Sequence, residues 1–113
     1  MHEVSIVEGL IGIIKETAAQ NDLEKVTMVS LRIGSMRQVV PDALQFAFEI
    51  VGKGTVAEGA EIRIKEIATQ GYCRECGKKF PVEDYCFICT SCGSGDVEVI
   101  EGKELYIDTL EGE

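Results

Sequence analysis

The sequence predicts an α+β fold: two helices packed on a small three-stranded sheet, with a four-cysteine module inserted before the last strand. Three observations carry this reading. Apolar side chains recur at helical spacing in residues 6–20 and 41–51, and they alternate in residues 26–33 and 60–67. Between the second alternating stretch and a final one stand two Cys-x-x-Cys-Gly units, Cys73 to Gly77 and Cys89 to Gly93. The order helix, strand, helix, strand, cysteine module, strand suits helices gathered on one face of a sheet.

Each element has its own warrant. Val7, Leu10, Ile11, Ile14 and Ala18 follow the i, i+3, i+4, i+7 pattern of a helix burying one face. Ser5-Ile-Val-Glu8 matches a capping box, which places the start near Ser5, with Glu3 as the earliest position. Gly9 and Gly12 each cost about 1 kcal/mol of helix propensity, so close packing on a sheet or the approach of a partner is expected there. Asn21-Asp22 ends the helix. In 26–33, Val29, Leu31 and Ile33 share one face and Met28, Ser30 and Arg32 the other, a half-buried strand that Gly34-Ser35 breaks. Pro41 suits the first position of a second helix, with Leu44, Ala47, Phe48 and Val51 as its buried stripe and Gly52 or Gly54 as its stop. Ala60–Ile67 reads as a strand with Ile62 and Ile64 inward. Val97–Ile100 and Glu104–Thr109 read as strands after the cysteines. The expected division is an α+β domain of residues 1–69 plus 96–113 and a cysteine module of residues 70–95. That module has too few apolar residues for a core of its own, so its stability should come from bound metal.

At 113 residues, with 45% hydrophobic side chains and no Trp, the core should be aliphatic. No apolar run is long enough to cross a bilayer, and residues 1–20 lack the basic region and cleavage site of a secretory signal. The expectation is a soluble, cytoplasmic protein without membrane partners. Eleven basic residues against 20 acidic ones, a net charge of −9, argue against phosphate-backbone binding and hence against a nucleic-acid partner. The local cluster Arg74, Lys78 and Lys79 is the one feature pointing the other way.

Twelve residues separate Cys76 from Cys89. Two such pairs can bring four thiolates to one tetrahedral ion, most simply a structural Zn²⁺ held by Cys73, Cys76, Cys89 and Cys92. The glycine after each pair supplies the positive φ of a tight turn. Cys86 also forms a Cys-x-x-Cys pair with Cys89, but no glycine follows Cys89. Cys86 is therefore read as a small hydrophobe beside the site. An odd cysteine count argues against a disulfide framework.

The chain opens Met1-His2-Glu3, and His2 is its only histidine. A free α-amine, the deprotonated amide of residue 2 and its imidazole close chelate rings around one ion, and the amide or carboxylate of Glu3 completes four positions. Such a nitrogen-rich, square-planar set favours Ni²⁺ or Cu²⁺ over Zn²⁺. A frayed, incidental surface histidine is the alternative.

Met1-His2-Glu3, the following helix, the stretch Val40-Pro41-Asp42-Ala43-Leu44-Gln45-Phe46-Ala47-Phe48-Glu49 and the two knuckles together resemble the HypA/HybF family, nickel metallochaperones of [NiFe]-hydrogenase maturation. Thr90, where a proline is common, and the extra Cys86 are the departures. The resemblance implies transient Ni²⁺ cargo on His2, Glu3 and the Met1 amine, and Zn²⁺ on the four cysteines. It further implies a nickel-loading GTPase partner and delivery to a hydrogenase large-subunit precursor. Some family members also serve urease maturation. No catalytic constellation is visible, and Gly52-Lys53-Gly54-Thr55 falls far short of a P-loop, so neither enzymatic activity nor GTP hydrolysis is expected. Two readings compete with the carrier: a zinc-ribbon interaction adaptor, and a rubredoxin-like electron carrier with iron in the thiolate site.

Overall fold

A computed structural model describes residues 2–113. Its elements are α1 (His2–Gln20), β1 (Val26–Gly34), a single 3₁₀ turn (Ser35–Arg37), α2 (Pro41–Val51), β2 (Glu61–Ile67), β3 (Gln70–Cys73), β4 (Lys79–Pro81), β5 (Val97–Glu101) and β6 (Leu105–Gly112). They fall into two compact units. One takes in the chain up to Arg32, Val39–Lys65 and Tyr106–Glu113. The other takes in Ile33–Gln38 and Glu66–Leu105, a wider span than the expected module of 70–95.

In the first unit α1 buries Val7, Leu10, Ile11, Ile14 and Ala18, the stripe its periodicity predicts. The helix starts at His2 rather than Ser5. Glu3 lies in the first turn, where a carboxylate meets the positive end of the helix dipole, and Ser5 lies inside the helix rather than at its cap. At the other end the Leu23 N–H bonds back to Ala18 O at 2.9 Å while Asp22 takes φ 55°. This is a left-handed stop with Asp in the place glycine often fills. Pro41 opens α2, and Leu44, Ala47 and Phe48 are buried, with Val51 half-buried. Gly52 caps that helix at φ −73°, still right-handed. A Cβ on Gly9 or Gly12 would meet nothing within 4 Å, so neither glycine is demanded by packing within the chain.

The sheet of this unit has the order β2-β1-β6. Lys25 and Glu113 exchange both main-chain bonds, at 3.0 and 2.8 Å, so β1 and β6 run antiparallel. Val29 and Leu31 are fully buried as expected. Val26 and Met28 are buried too, although Met28 belongs to the face expected to be solvated. Met28 and Val29 are thus buried side by side, a departure from strict alternation, and the Val26 N–H bonds Val56 O where the loop after α2 reaches the start of this strand.

The second unit has its own sheet, order β4-β3-β5, with both pairings antiparallel. Here the sequence reading needs correction. Val97–Glu101 pairs with β3, Cys73 facing Val97, so it belongs to a second sheet. Strands β3 and β4 were not expected at all, being only four and three residues long. A run that short, interrupted by glycine and charge, carries no readable alternation. The unit also has a small core: Cys73, Phe80 and Cys89, with Val82 and Val97 packed on it. Among the described residues no helix is long and apolar enough to cross a membrane.

Leu31, with no solvent exposure, is a central strut of the first core. Leu31→Ala is expected to destabilise the protein by about 2–5 kcal/mol, measured by denaturant unfolding of the metal-loaded protein.

Candidate metal centre

Strand β3 delivers Cys73 and the turn after it delivers Cys76; a second turn before β5 delivers Cys89 and Cys92. The two turns repeat one local construction. In the first, the Cys73 N–H bonds Lys78 O (2.9 Å), the Gly77 N–H bonds Cys73 O (2.8 Å), and the Cys76 N–H points at Cys73 Sγ (3.5 Å). In the second, the Cys89 N–H bonds Ser94 O (2.9 Å), the Gly93 N–H bonds Cys89 O (3.0 Å), and the Cys92 N–H points at Cys89 Sγ (3.5 Å). Gly77 and Gly93 take φ 76° and 77°, the left-handed step that lets each loop close behind its second cysteine.

The four sulfurs all lie within 4.8 Å of one another, with Cys73 to Cys92 at 3.5 Å and Cys76 to Cys89 at 3.6 Å. A disulfide would need about 2.05 Å, and all five cysteines are free. Four sulfurs each about 2.3 Å from a central Zn²⁺ form a tetrahedron with edges of about 3.8 Å. The donor set and spacing therefore fit a tetrathiolate ion. Cys73 and Cys89 are buried in the small core, and Cys76 and Cys92 are exposed.

Ionisation shows the strain of bringing four thiols together. The N–H groups of Cys92 and then Ser91 draw Cys89 down to about 6. On Cys92 the largest single influence, the Ser94 N–H, favours the thiolate. The thiol of Cys73, burial, and the thiols of Cys89 and Cys76 outweigh it and push Cys92 up to about 12. The Cys76 thiol is likewise raised. The Lys78 N–H pulls it down, but burial and then its Cys89 and Cys73 neighbours prevail. One thiolate is easily held, and further ones repel it until a divalent cation inverts the balance.

Cys86 is not part of this cluster, and it is exposed rather than packed as a small hydrophobe. Asp84 and Tyr85 just before it take φ 51° and 58°, which turns this stretch outward. Arg74, one of three basic residues noted on the module, is committed to Asp96 at 2.8 Å.

At the other end of the chain Met1 lies outside the described residues. His2 is exposed, and its Nε2 lies 3.5 Å from Glu3 Oε2. The Glu3 carboxylate also accepts the Val40 N–H at 3.4 Å. Its own N–H first, then that of Val40, hold its pKa below the usual carboxylate range. It therefore stays ionised, and this docking persists, until pH falls through the lowered value. The contact gives Val40 a role that residue spacing could not reveal, because the two positions are 37 residues apart.

Four cysteine sulfurs gathered at tetrathiolate spacing define a small metal-binding protein. The chain belongs to the HypA family: the family model described as "Hydrogenase/urease nickel incorporation, metallochaperone, hypA" matches residues 1–112. That is a family of metallochaperones, not of enzymes. The chain is 41% identical over 113 residues to hydrogenase maturation factor HypA of Acidithiobacillus ferrooxidans, covering all of both chains. It is 39% identical to the protein of that name from Desulfitobacterium hafniense, covering all of this chain and 99% of that one. The solution structure of the Ni metallochaperone HypA from Helicobacter pylori is similar at a TM-score of 0.72 and 26% identity. That match covers 97% of this chain and 96% of that chain. A second HypA solution structure is similar at a TM-score of 0.75 and 29% identity, covering 99% and 96%.

Because metal binding needs four thiolates, protons compete with it and affinity falls as pH falls. Above about 6 Cys89 is already ionised; below it, one more proton must be displaced. A plot of log zinc affinity against pH should therefore steepen by one proton below that value, measured by chelator competition. A pH-independent affinity would contradict the tetrathiolate site.

Proposed function

We propose that this chain is a nickel carrier. It binds Ni²⁺ at its N-terminus and surrenders it during hydrogenase maturation, while Cys73, Cys76, Cys89 and Cys92 hold a structural Zn²⁺. The observation that carries the reading is the His2–Glu3 arrangement at the start of α1, in a chain of the nickel-incorporation family. The first four N–H groups of a helix have no partner within it. Deprotonating the His2 amide to make it a ligand therefore breaks no helical bond. The Met1 amine, the His2 amide and the imidazole Nδ1 would close adjoining chelate rings, and Glu3 would supply the fourth donor.

The two stations differ in lability for a chemical reason. Four thiolates leave Zn²⁺ no open position, which suits a structural role. The terminal set is exposed, and each of its nitrogens must lose or lack a proton to bind, so mild acidification or a competing ligand removes the metal. A carrier needs such a site. The recipient is a hydrogenase large-subunit precursor and the loading partner a nickel-handling GTPase; urease maturation proteins are a second client class, in keeping with the family's description.

His2→Ala is expected to abolish tight nickel binding, with zinc content and fold unchanged. The check is calorimetric titration of untagged protein, with zinc counted by elemental analysis. Unaltered nickel affinity in that variant would refute the terminal site.

A further inference from the structure

Strand β6 is an open edge of the sheet β2-β1-β6. The pair of main-chain hydrogen bonds between Lys25 and Glu113 sets which groups are used at the C-terminal end of β6. By alternation Thr109 and Glu111 turn theirs toward β1, and Thr27 Oγ1 also donates to Glu111 O at 3.2 Å. At this end of the strand the N–H and C=O groups of Leu110 and Gly112 then face outward, away from β1. Natural edges are commonly blunted by lysine, proline or an early end. Residues 105–113 contain neither Lys, Arg nor Pro, and β6 is eight residues long.

Alongside this edge runs a groove of about 520 Å³, walled by Ile13 and Thr17 of α1, by Leu23, and by Ile107 and Leu110 of β6. Ile13 is 53% exposed, a large apolar side chain with no partner of its own. A sheet edge flanked by a helix, with a groove between them that mixes apolar walls with Asn21 and Asp108, is an arrangement that can capture extended peptides by strand addition. Main-chain bonds supply affinity, and the groove takes alternate side chains.

We propose that β6 and α1 form a docking groove for an extended, cationic segment of a partner protein, which adds as a fourth strand beside β6. Charge selects the occupant. Residues 105–113 carry Asp108, Glu111 and Glu113 and no base. Asp108 lies 3.4 Å from Arg32 but keeps more than a third of its side chain exposed. Lys or Arg on the added strand would sit opposite these carboxylates. A second copy of this chain fits poorly, since it would set one acidic strand against another in molecules of net charge −9. This inference is independent of the metal chemistry and stands on the fold of the first unit alone.

The test uses the full ¹⁵N-labelled chain, titrated with a capped octapeptide of alternating valine and lysine; a valine–glutamate peptide is the control. The expected result is shift changes and slowed amide exchange at Leu110 and Gly112, with the valine–glutamate peptide inert. Leu110→Pro removes one outward N–H at an edge position, and Ile13→Ser removes an exposed groove wall; each should weaken binding roughly tenfold. Shift changes scattered over the acidic surface and indifferent to both substitutions would overturn the proposal. So would equal binding of the glutamate peptide, or protection of the same two amides by self-association of the protein without peptide.

Discussion

Four cysteine sulfurs held within 4.8 Å of one another are the constraint on which the second unit depends. Without a cation their ionisation is split, one thiol drawn down to about 6 and another pushed up to about 12. With a divalent cation the same crowding becomes the source of stability. The little core of Cys73, Phe80 and Cys89 then explains itself: two of the four donors are also its packing residues. A core of three buried residues is too small to hold a unit of this size by hydrophobic burial alone. Metal and sheet thus stabilise each other, because β3 carries Cys73 while its partners β4 and β5 bracket the second turn in sequence.

The first unit rests on ordinary hydrophobic burial, and that leaves its surface free for other tasks. Two lie at opposite ends of α1. Its start holds His2 and Glu3 with Glu3 docked on the Val40 N–H, and its last two turns wall the groove beside β6. The proposed cargo site needs a terminus that is exposed yet fixed in direction. A helix beginning at His2, its carboxylate neighbour anchored to the residue before α2, provides both. The chemistry that makes thiolates retain a metal differs from that of an exposed amine and imidazole, and this difference would separate a resident ion from the proposed passenger.

Much of this was legible from residue order. The α1 stripe from Val7 to Ala18, Pro41 at the head of α2 and the pairing of Cys73, Cys76, Cys89 and Cys92 follow from periodicity, proline stereochemistry and spacing. The second sheet was not legible. Tyr72 pairs with Lys79 across a tight turn and with Glu98 a quarter of the chain away, and such pairings leave no periodic trace in strands of three to five residues. The start of α1 was misjudged because Ser5 and Glu8 mimic a capping box, whereas the helix simply continues to His2. Burial of Met28 beside Val29 went unseen because it departs from strict alternation and is set by tertiary packing. The Glu3–Val40 contact escaped for the same reason: it is tertiary, and nothing near either residue announces it.

The proposed carrier keeps two metal stations of different chemistry on one chain. The most direct measurement is X-ray absorption at the nickel and zinc edges of untagged protein loaded with both metals. The account predicts zinc surrounded by four sulfurs and nickel surrounded by nitrogen and oxygen alone. Sulfur in the nickel shell, or nitrogen and oxygen replacing sulfur around zinc, would contradict it.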